Sequence, residues 1–353
     1  MRRSLFVFLI MAATLQLAAT TGPGHEAHES DSWIARASIP TQRSFTGAAM
    51  GANGRLYVVG GYGGPYGSRL YQVEEYDPLT DTWFARADLP TPRYDLGLVT
   101  GRDGLVYAIG GNTMGGIGWT VQAYDPESDA WQWRTHMPTS REGLCVASAG
   151  NGKIYAFGGG NAVHPYLATV EEYDPMTDTW VARKSLPTAR SHAGAATASN
   201  GRIYVIGGTD HYPDGMSLVE EYDPNTDTWE RRADMPTGRC ALAVVAAANG
   251  RLYAIGGRDG ETEYDVVEEY DPITDTWARR TDMPTARYAL AAATGQNGEI
   301  YAVGGRQARV DLHTLEEYTP PDLGPTATKT PTQTSVPTSP MPSRLFLPLI
   351  VRG

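Results

Sequence analysis

The alternation of small, apolar and turn-forming positions predicts four short β-strands between residues 239 and 284. Residues 239–247 are small and mostly apolar and predict an innermost strand, a. Asn249-Gly250 is a tight-hairpin signal, and residues 251–255 predict strand b, which ends at Gly256-Gly257. Residues 266–270 predict strand c, an Asp-Pro turn follows, and strand d carries Trp277. This stretch therefore predicts one four-stranded antiparallel sheet.

The same pattern recurs along most of the chain at intervals of about 50 residues. A Gly-Gly pair follows each predicted strand b, with a tyrosine three residues before it, and the pairs start at Gly60, Gly110, Gly158, Gly207, Gly256 and Gly304. A tryptophan marks each predicted strand d, and these are Trp33, Trp83, Trp131, Trp180, Trp229 and Trp277. This spacing resembles the kelch family of propeller blades. The resemblance covers about residues 31–319 and implies an all-β fold, a six-bladed β-propeller of four-stranded antiparallel blades.

The repeat begins and ends in the middle of a unit. Asp31-Ser32-Trp33 matches Asp227-Thr228-Trp229, which is the end of a unit, whereas the last unit stops at Tyr318 without a tryptophan. An open ring would leave unpaired strand edges exposed. We therefore expect the N-terminal strand to complete the last blade.

The two ends of the sequence differ in composition from the repeats. Residues 1–21 combine a basic start, an apolar run and small residues, which predicts a secretory signal peptide, with an uncleaved membrane anchor as the alternative. Residues 320–343 are mostly Pro, Thr and Ser and predict a disordered linker, and residues 344–353 form a short apolar tail. We therefore expect a secreted, extracellular protein, with the tail as a means of attachment to the cell envelope.

Composition and motifs argue against several classes of function. The formal net charge of -11 argues against nucleic-acid binding, which requires a basic face. The sequence has no Walker, Rossmann, zinc-finger or EF-hand motif, so we expect no cofactor and no metal. Cys145 and Cys240 fall on strand a of different blades and are predicted to be free and mostly buried. We expect a monomer.

The connections between strands b and c vary between units, whereas the a–b and c–d turns are nearly constant. In an antiparallel blade the b–c and d–a connections lie on one side of the ring, which we call the loop face. Variable loops on a rigid scaffold are common binding sites, and exposed aromatic rings suit sugars or the apolar side chains of a partner. The candidate ligand-binding residues in or beside these loops are Trp119, His164, Tyr166, His211 and Tyr212. The alternative is that some of these side chains only pack the loops.

An arginine ends each d–a connection on the same face, and the six are Arg43, Arg93, Arg141, Arg190, Arg239 and Arg287. We call them the arginine ring. The sequence predicts that they converge on the mouth of the central channel, where guanidinium groups would favour carboxylate or phosphate groups. The kelch resemblance also implies binding of acidic peptides near these positions. The alternative is that each arginine holds blades together through backbone carbonyls. The ligand-binding candidates from this region are Arg93, Arg141, Arg190 and Arg239, with Glu142 and His192 just after them.

A second arginine series lies three residues after each tryptophan. The Glu-Glu pair of strand c, for example Glu220-Glu221, lies near it across the c–d hairpin. We interpret these charges as structural cross-strand pairs that each contribute at most about 1 kcal/mol.

These observations favour non-covalent binding of a carbohydrate or a protein, possibly an acidic one, on the loop face. The alternative is a small-sugar enzyme at the channel mouth, acting through arginine, Glu142 and His192. The kelch resemblance makes an epimerase or mutarotase the closest enzyme analogy. A third class is a purely structural exported surface domain. Propellers host many unrelated activities, so the fold alone does not decide between them.

Overall fold

The computed structural model describes residues 31–64 and 67–321, and it contains six four-stranded antiparallel β-sheets. The innermost strands, a, are Gly47–Met50, Gly97–Thr100, Cys145–Ser148, Gly194–Thr197, Ala243–Ala246 and Ala291–Thr294. Strands b are Leu56–Val59, Val106–Ile109, Ile154–Phe157, Ile203–Ile206, Leu252–Ile255 and Ile300–Val303. Strands c are Val73–Asp77, Val121–Asp125, Val170–Asp174, Val219–Asp223, Val267–Asp271 and Leu315–Thr319. Strands d are Thr82–Arg86, Ala130–Arg134, Thr179–Arg183, Thr228–Arg231, Thr276–Arg280 and, for blade six, Ser32–Ala35.

The burial of each strand follows its position in the blade. All residues of every strand b are buried, because both faces of the sheet pack against neighbouring blades. Strand a alternates between buried positions and half-buried ones that line the channel, which explains its small side chains. Strand d is mostly exposed. The core therefore consists of one apolar layer between each pair of adjacent blades.

Each blade holds one peptide group of the preceding blade through an Asp-x-Trp segment. In blade one, Trp83 donates its indole N–H to the carbonyl of Ala37, and Asp81 accepts the N–H of Ala37. The same pair of bonds occurs at all six blade junctions, at 2.7–3.0 Å. The tryptophans that define the repeat therefore bind the blades together.

The N-terminal strand completes blade six, as the sequence predicts. Trp33 pairs with Tyr318, and the sheet order is the N-terminal strand followed by strands c, b and a of the last unit. The Trp33 and Tyr318 rings lie 4.9 Å apart. The side chains of Trp33 and Asp31 also form hydrogen bonds with the peptide groups of Thr281 in blade five. The N-terminal strand therefore completes blade six and also binds it to blade five.

Short strands extend the blades on the loop face. They are Arg43–Ser44, Tyr62–Gly63, Ser68–Arg69, Arg93–Tyr94, Asn112–Thr113, Gly116–Ile117, Arg258–Asp259, Thr262–Glu263, Arg306–Gln307 and Val310–Asp311. Each arginine-ring residue lies at the start of this layer, between strand d of one blade and strand a of the next.

Both cysteines are free and buried, which confirms the prediction. Burial raises the pKa of each thiol to about 12 and thereby disfavours the reactive thiolate. The predicted signal peptide and apolar tail, and the linker from residue 322 onward, lie outside the described residues. Within the described part of the chain, no helix is long and apolar enough to cross a membrane.

Candidate functional site

The arginine ring lies inside the blades and not at the channel mouth, which corrects the prediction that it converges on the mouth. Arg93, Arg141 and Arg239 are 0% exposed and Arg190 is 1% exposed. Arg141 donates to the carbonyls of Gly158 and Thr169 at 3.0 and 2.8 Å. Side chains without exposed surface cannot contact a ligand at the mouth, so their burial favours the structural alternative for these four residues.

The two glutamates of strand c serve different arginines. Because successive side chains of a strand point to opposite faces, Glu171 pairs with the buried Arg141 at 2.7 Å and Glu172 pairs with the half-exposed Arg183 at 2.8 Å. The sequence predicted only the second kind of pair. Blade two lacks both carboxylates, and Gln122 accepts the hydrogen bond from Arg93 in place of a glutamate.

A closed ring of backbone hydrogen bonds forms the floor of the channel mouth. The residue two positions after each arginine-ring residue donates its N–H to the carbonyl of the equivalent residue in the preceding blade, at 2.8–3.0 Å. These six residues, which we call the mouth ring, are Phe45, Asp95, Gly143, His192, Ala241 and Ala289. All six have φ between 50° and 59°, a left-handed conformation that costs energy in residues other than glycine. The six mouth-ring residues line a narrow part of the channel.

The mouth ring carries a strongly asymmetric set of side chains. His192 Nε2 lies 3.1 Å from the Asp95 carboxylate, across the bare Gly143 of the blade between them. The His192 and Asp95 side chains are 19% and 14% exposed. Burial lowers the pKa of His192, but the charge of Asp95, the hydrogen bond to it and the charge of Glu142 together raise the pKa above the ordinary value. Ser191 Oγ lies 3.0 Å from Nδ1 and occupies the other ring nitrogen.

Glu142 extends this polar cluster toward the loops. Asn112, at the start of the b–c loop of blade two, donates to the Glu142 carboxylate, and Arg69 of the neighbouring loop donates to Asn112 at 2.6 Å. Burial raises the pKa of Glu142, and the hydrogen bond from Asn112 opposes that rise only in part. The cluster thus holds two carboxylates and one imidazole within a few ångströms of solvent.

Aromatic rings cover the opposite side of His192. Tyr212 is 41% exposed, and its ring centroid lies 5.6 Å from that of His192. Tyr166 accepts the backbone N–H of Tyr212 at 2.7 Å and so fixes the loop. Arg258 lies over the rings of Tyr288 and Tyr212, at 4.6 and 5.7 Å. Glu142, His192, Tyr166 and Tyr212 line a cavity of about 210 Å³.

Three other candidate residues lie apart from this cluster. His164 and His211 are exposed loop residues with no side-chain partner among the described residues. Trp119 is 55% exposed and lies at the outer edge of blade two, where its ring contacts His136 and not the mouth. The structure therefore brings together only Glu142, His192, Tyr166 and Tyr212 from the predicted set.

Comparison with known proteins supports the fold seen in the structure. Residues 129–305, half of the chain, match the KLHDC2/KLHL20/DRC7 Kelch-repeats domain, and residues 47–90 match the Kelch motif. The chain belongs to the kelch-repeat β-propeller family. A solved structure entitled "Structure of YjhT" is similar to this kelch propeller with a TM-score of 0.68 and 17% identity, covering 79% of this chain and 95% of that chain. At this identity the likeness shows the fold alone. No curated protein matches the sequence significantly.

Several residues at the mouth of this kelch propeller do not follow from sequence reasoning. Asn112, Arg69 and Arg258 come from variable loops, where no repeat position marks them. Asp95 does carry a signal, because it lies two residues after Arg93 at a position where four other blades have Phe, Gly or Ala. Within residues 31–64 and 67–321, no group of three or more His, Cys, Asp or Glu side chains could hold a metal ion.

Proposed function

We propose that this kelch propeller is a binding module that takes a carbohydrate at the channel mouth. The observation that carries the proposal is the juxtaposition of the Asp95–His192 pair and Glu142 with the partly exposed ring of Tyr212 at the mouth ring. Carbohydrates present hydroxyl groups on one side and C–H faces on another. Carboxylate and imidazole groups exchange hydrogen bonds with hydroxyls, and an aromatic ring packs against the C–H face.

The carboxylates beside His192 favour a neutral ligand over an acidic one, because the two arginines near them are already engaged, Arg69 with Asn112 and Arg258 with the carbonyl of Gly260. The expectation of an acidic ligand depended on the arginine ring, and those guanidinium groups are buried and paired. A ligand carboxylate beside His192 would lie close to Asp95 and Glu142, and like charges at this distance repel. We therefore propose a neutral, polyhydroxylated ligand.

A glycan array followed by isothermal titration calorimetry tests the proposal. His192→Ala and Tyr212→Ala should each weaken binding of the best glycan at least about tenfold, which corresponds to about 1.4 kcal/mol. The control is Met176→Ala, because Met176 is 86% exposed on a c–d turn at the opposite face of the propeller. If no glycan binds, or if all three variants bind equally well, the carbohydrate assignment is wrong. A protein ligand that binds through the same residues would then replace the carbohydrate in this proposal.

A sugar-isomerising enzyme is a second candidate, and the Asp95–His192 pair is the observation that favours it. An imidazole paired with a carboxylate at 3.1 Å can accept and return a proton, and Glu142, with its raised pKa, is a neighbouring acid. Proton NMR of any bound sugar distinguishes the two functions, because an enzyme would accelerate anomer exchange or epimerisation. Binding without turnover supports the module.

We also propose that the protein is exported and held at the cell envelope by its C-terminal segment. The described chain begins and ends on the face opposite the loops, where Asp31 lies in the c–d corner of blade six and the carbonyl of Pro321 accepts a hydrogen bond from Asn249. Attachment there would direct the mouth away from the envelope. Fractionation of cells expressing the full chain and a chain ending at residue 321 tests this, since only the full chain should remain with the envelope.

A further inference from the structure

Blade two carries two exposed tryptophans, Trp119 and Trp133, with a histidine ring in contact with both. Trp133 on strand d is 56% exposed, and Trp119, just before strand c, is 55% exposed. His136 lies between them, with ring centroids 5.5 Å from Trp119 and 6.5 Å from Trp133. We call these three residues the aromatic platform.

Trp133 and His136 occupy positions that are small or charged in the other blades, whereas the position of Trp119 is Tyr71 in blade one. The residue equivalent to Trp133 is alanine in blades one, three and six, as in Ala85, and arginine in blades four and five. In blade four Arg231 and Asp234 take the places of Trp133 and His136 and form an ion pair at 2.6 Å. Trp133 is therefore not needed to form the blade. The tryptophan that does bind the blades in this strand is Trp131, which donates to Ala87.

The platform offers hydrogen-bond donors as well as ring faces. Among the described residues, neither the Trp119 nor the Trp133 indole N–H has a hydrogen-bond partner. The backbone carbonyl of Trp119 accepts the N–H of Met137 at 2.8 Å, which fixes the platform between strands c and d. Exposed rings with free polar edges match a ligand that has C–H faces and hydroxyl oxygens.

We propose that the aromatic platform is a second carbohydrate-binding site, which takes a single chain of pyranose units. The His136 ring contacts both indole rings, at centroid separations of 5.5 and 6.5 Å, so that adjacent rings can each pack against a separate sugar unit of one chain. Neighbouring rings are inclined by 40° and 43°, so the platform suits one soluble chain and not the flat surface of a crystalline polymer. A glycan fits better than a proline-rich peptide, because such peptides dock into aromatic-lined grooves, whereas both indoles are more than half exposed. The proposal does not depend on the channel mouth, since the two sites share no residue.

The proposal is tested by isothermal titration calorimetry of the full chain. The ligands are cellohexaose, chitohexaose, mannohexaose and maltohexaose, and their monosaccharides. The wild type should bind at least one hexasaccharide, and Trp133→Ala should weaken that binding about three- to tenfold. Trp133→Ala introduces the residue that blades one and three have at the equivalent position, so the fold is preserved. The matched control is Phe84→Ala on strand d of blade one, where the ring is 44% exposed, and it should leave the affinity unchanged.

His192→Ala separates the platform from the mouth. If Trp133→Ala weakens hexasaccharide binding and His192→Ala does not, the platform binds the hexasaccharide without the mouth, and the channel-mouth proposal is judged by its own glycan. If only His192→Ala weakens binding, the platform is overturned and the mouth stands. The platform is also overturned if no hexasaccharide binds the wild type, if Trp133→Ala behaves like Phe84→Ala, or if only a polyproline peptide binds.

Discussion

Replacing Arg141 by alanine tests whether the arginine ring holds the blades or binds ligand. The guanidinium is fully buried and donates to three backbone carbonyls, of Ala156, Gly158 and Thr169, and to the Glu171 carboxylate. Burial lowers the pKa of Arg141 to about 10, so the side chain is charged at neutral pH. Its removal leaves the Glu171 charge buried, with only Thr139 still donating to it.

The expected cost follows from these contacts. Removing one partner of a buried ion pair costs about 3–5 kcal/mol, because the remaining charge is uncompensated. Glu171→Gln should cost less, about 1 kcal/mol, since blade two already uses Gln122 at this position, where the amide oxygen accepts from the arginine and the amide nitrogen has no partner among the described residues. Arg183→Ala is the control, because Arg183 is 32% exposed and forms the outer ion pair with Glu172. It should cost at most about 1 kcal/mol.

Urea denaturation followed by tryptophan fluorescence measures these differences in unfolding free energy. The order of destabilisation should be Arg141→Ala, then Glu171→Gln and Arg183→Ala together. Glycan binding by the folded fraction of each variant should stay unchanged. If Arg141→Ala unfolds at the same urea concentration as Arg183→Ala but loses ligand binding, the arginine ring is a recognition element and the structural interpretation is wrong.

Three further predictions concern the closure of the ring and the charges at either face. Deletion of residues 31–39 should lower the unfolding midpoint in urea sharply, because it removes the outer strand of blade six; an unchanged midpoint would mean that the closure contributes little. Burial raises the pKa of Glu299 to about 7, so the folded state binds this proton more tightly than the unfolded state does. The contribution of this proton to the free energy of unfolding is therefore present at low pH and is lost between about pH 4.5 and 7. Glu299→Gln should therefore be about 1–2 kcal/mol more stable than the wild type above pH 7, a figure reduced for partial exposure, with the difference vanishing near pH 4.5 in urea titrations. Asp95→Asn should lower the pKa of His192 in an NMR titration, because it removes the charge that stabilises the imidazolium, and an unchanged titration would show that the pair does not interact in solution.

The sequence alone determines the blades and their closure. Each strand is short, and its register follows from local signals such as Asn249-Gly250 and the Asp-x-Trp segment, which act within one blade or on its immediate neighbour. The incomplete first and last units require each other, so the pairing of Trp33 with Tyr318 follows from counting repeats. The burial of both cysteines follows from their place on strand a.

Only the tertiary structure decides which groups the repeated arginine side chains contact. A long arginine can extend into the channel or fold back into the blade, and the sequence permits both. Arg141 folds back because the carbonyls of Gly158 and Thr169 and the inner glutamate of strand c are available only once strands b and c pack around it.

The composition of the site depends in the same way on the assembled ring. Asp95 and His192 are 97 residues apart in the sequence. They meet only because the mouth ring brings residues of blades two and four together on either side of Gly143 in blade three. Trp119 belongs to a loop that begins at the mouth with Asn112, but the chain has left the centre of the ring by the time it reaches the tryptophan. Local patterns encode strands, because strand formation depends on near neighbours. The side chains that share a site are set by the packing of six blades around one axis, which no local pattern records.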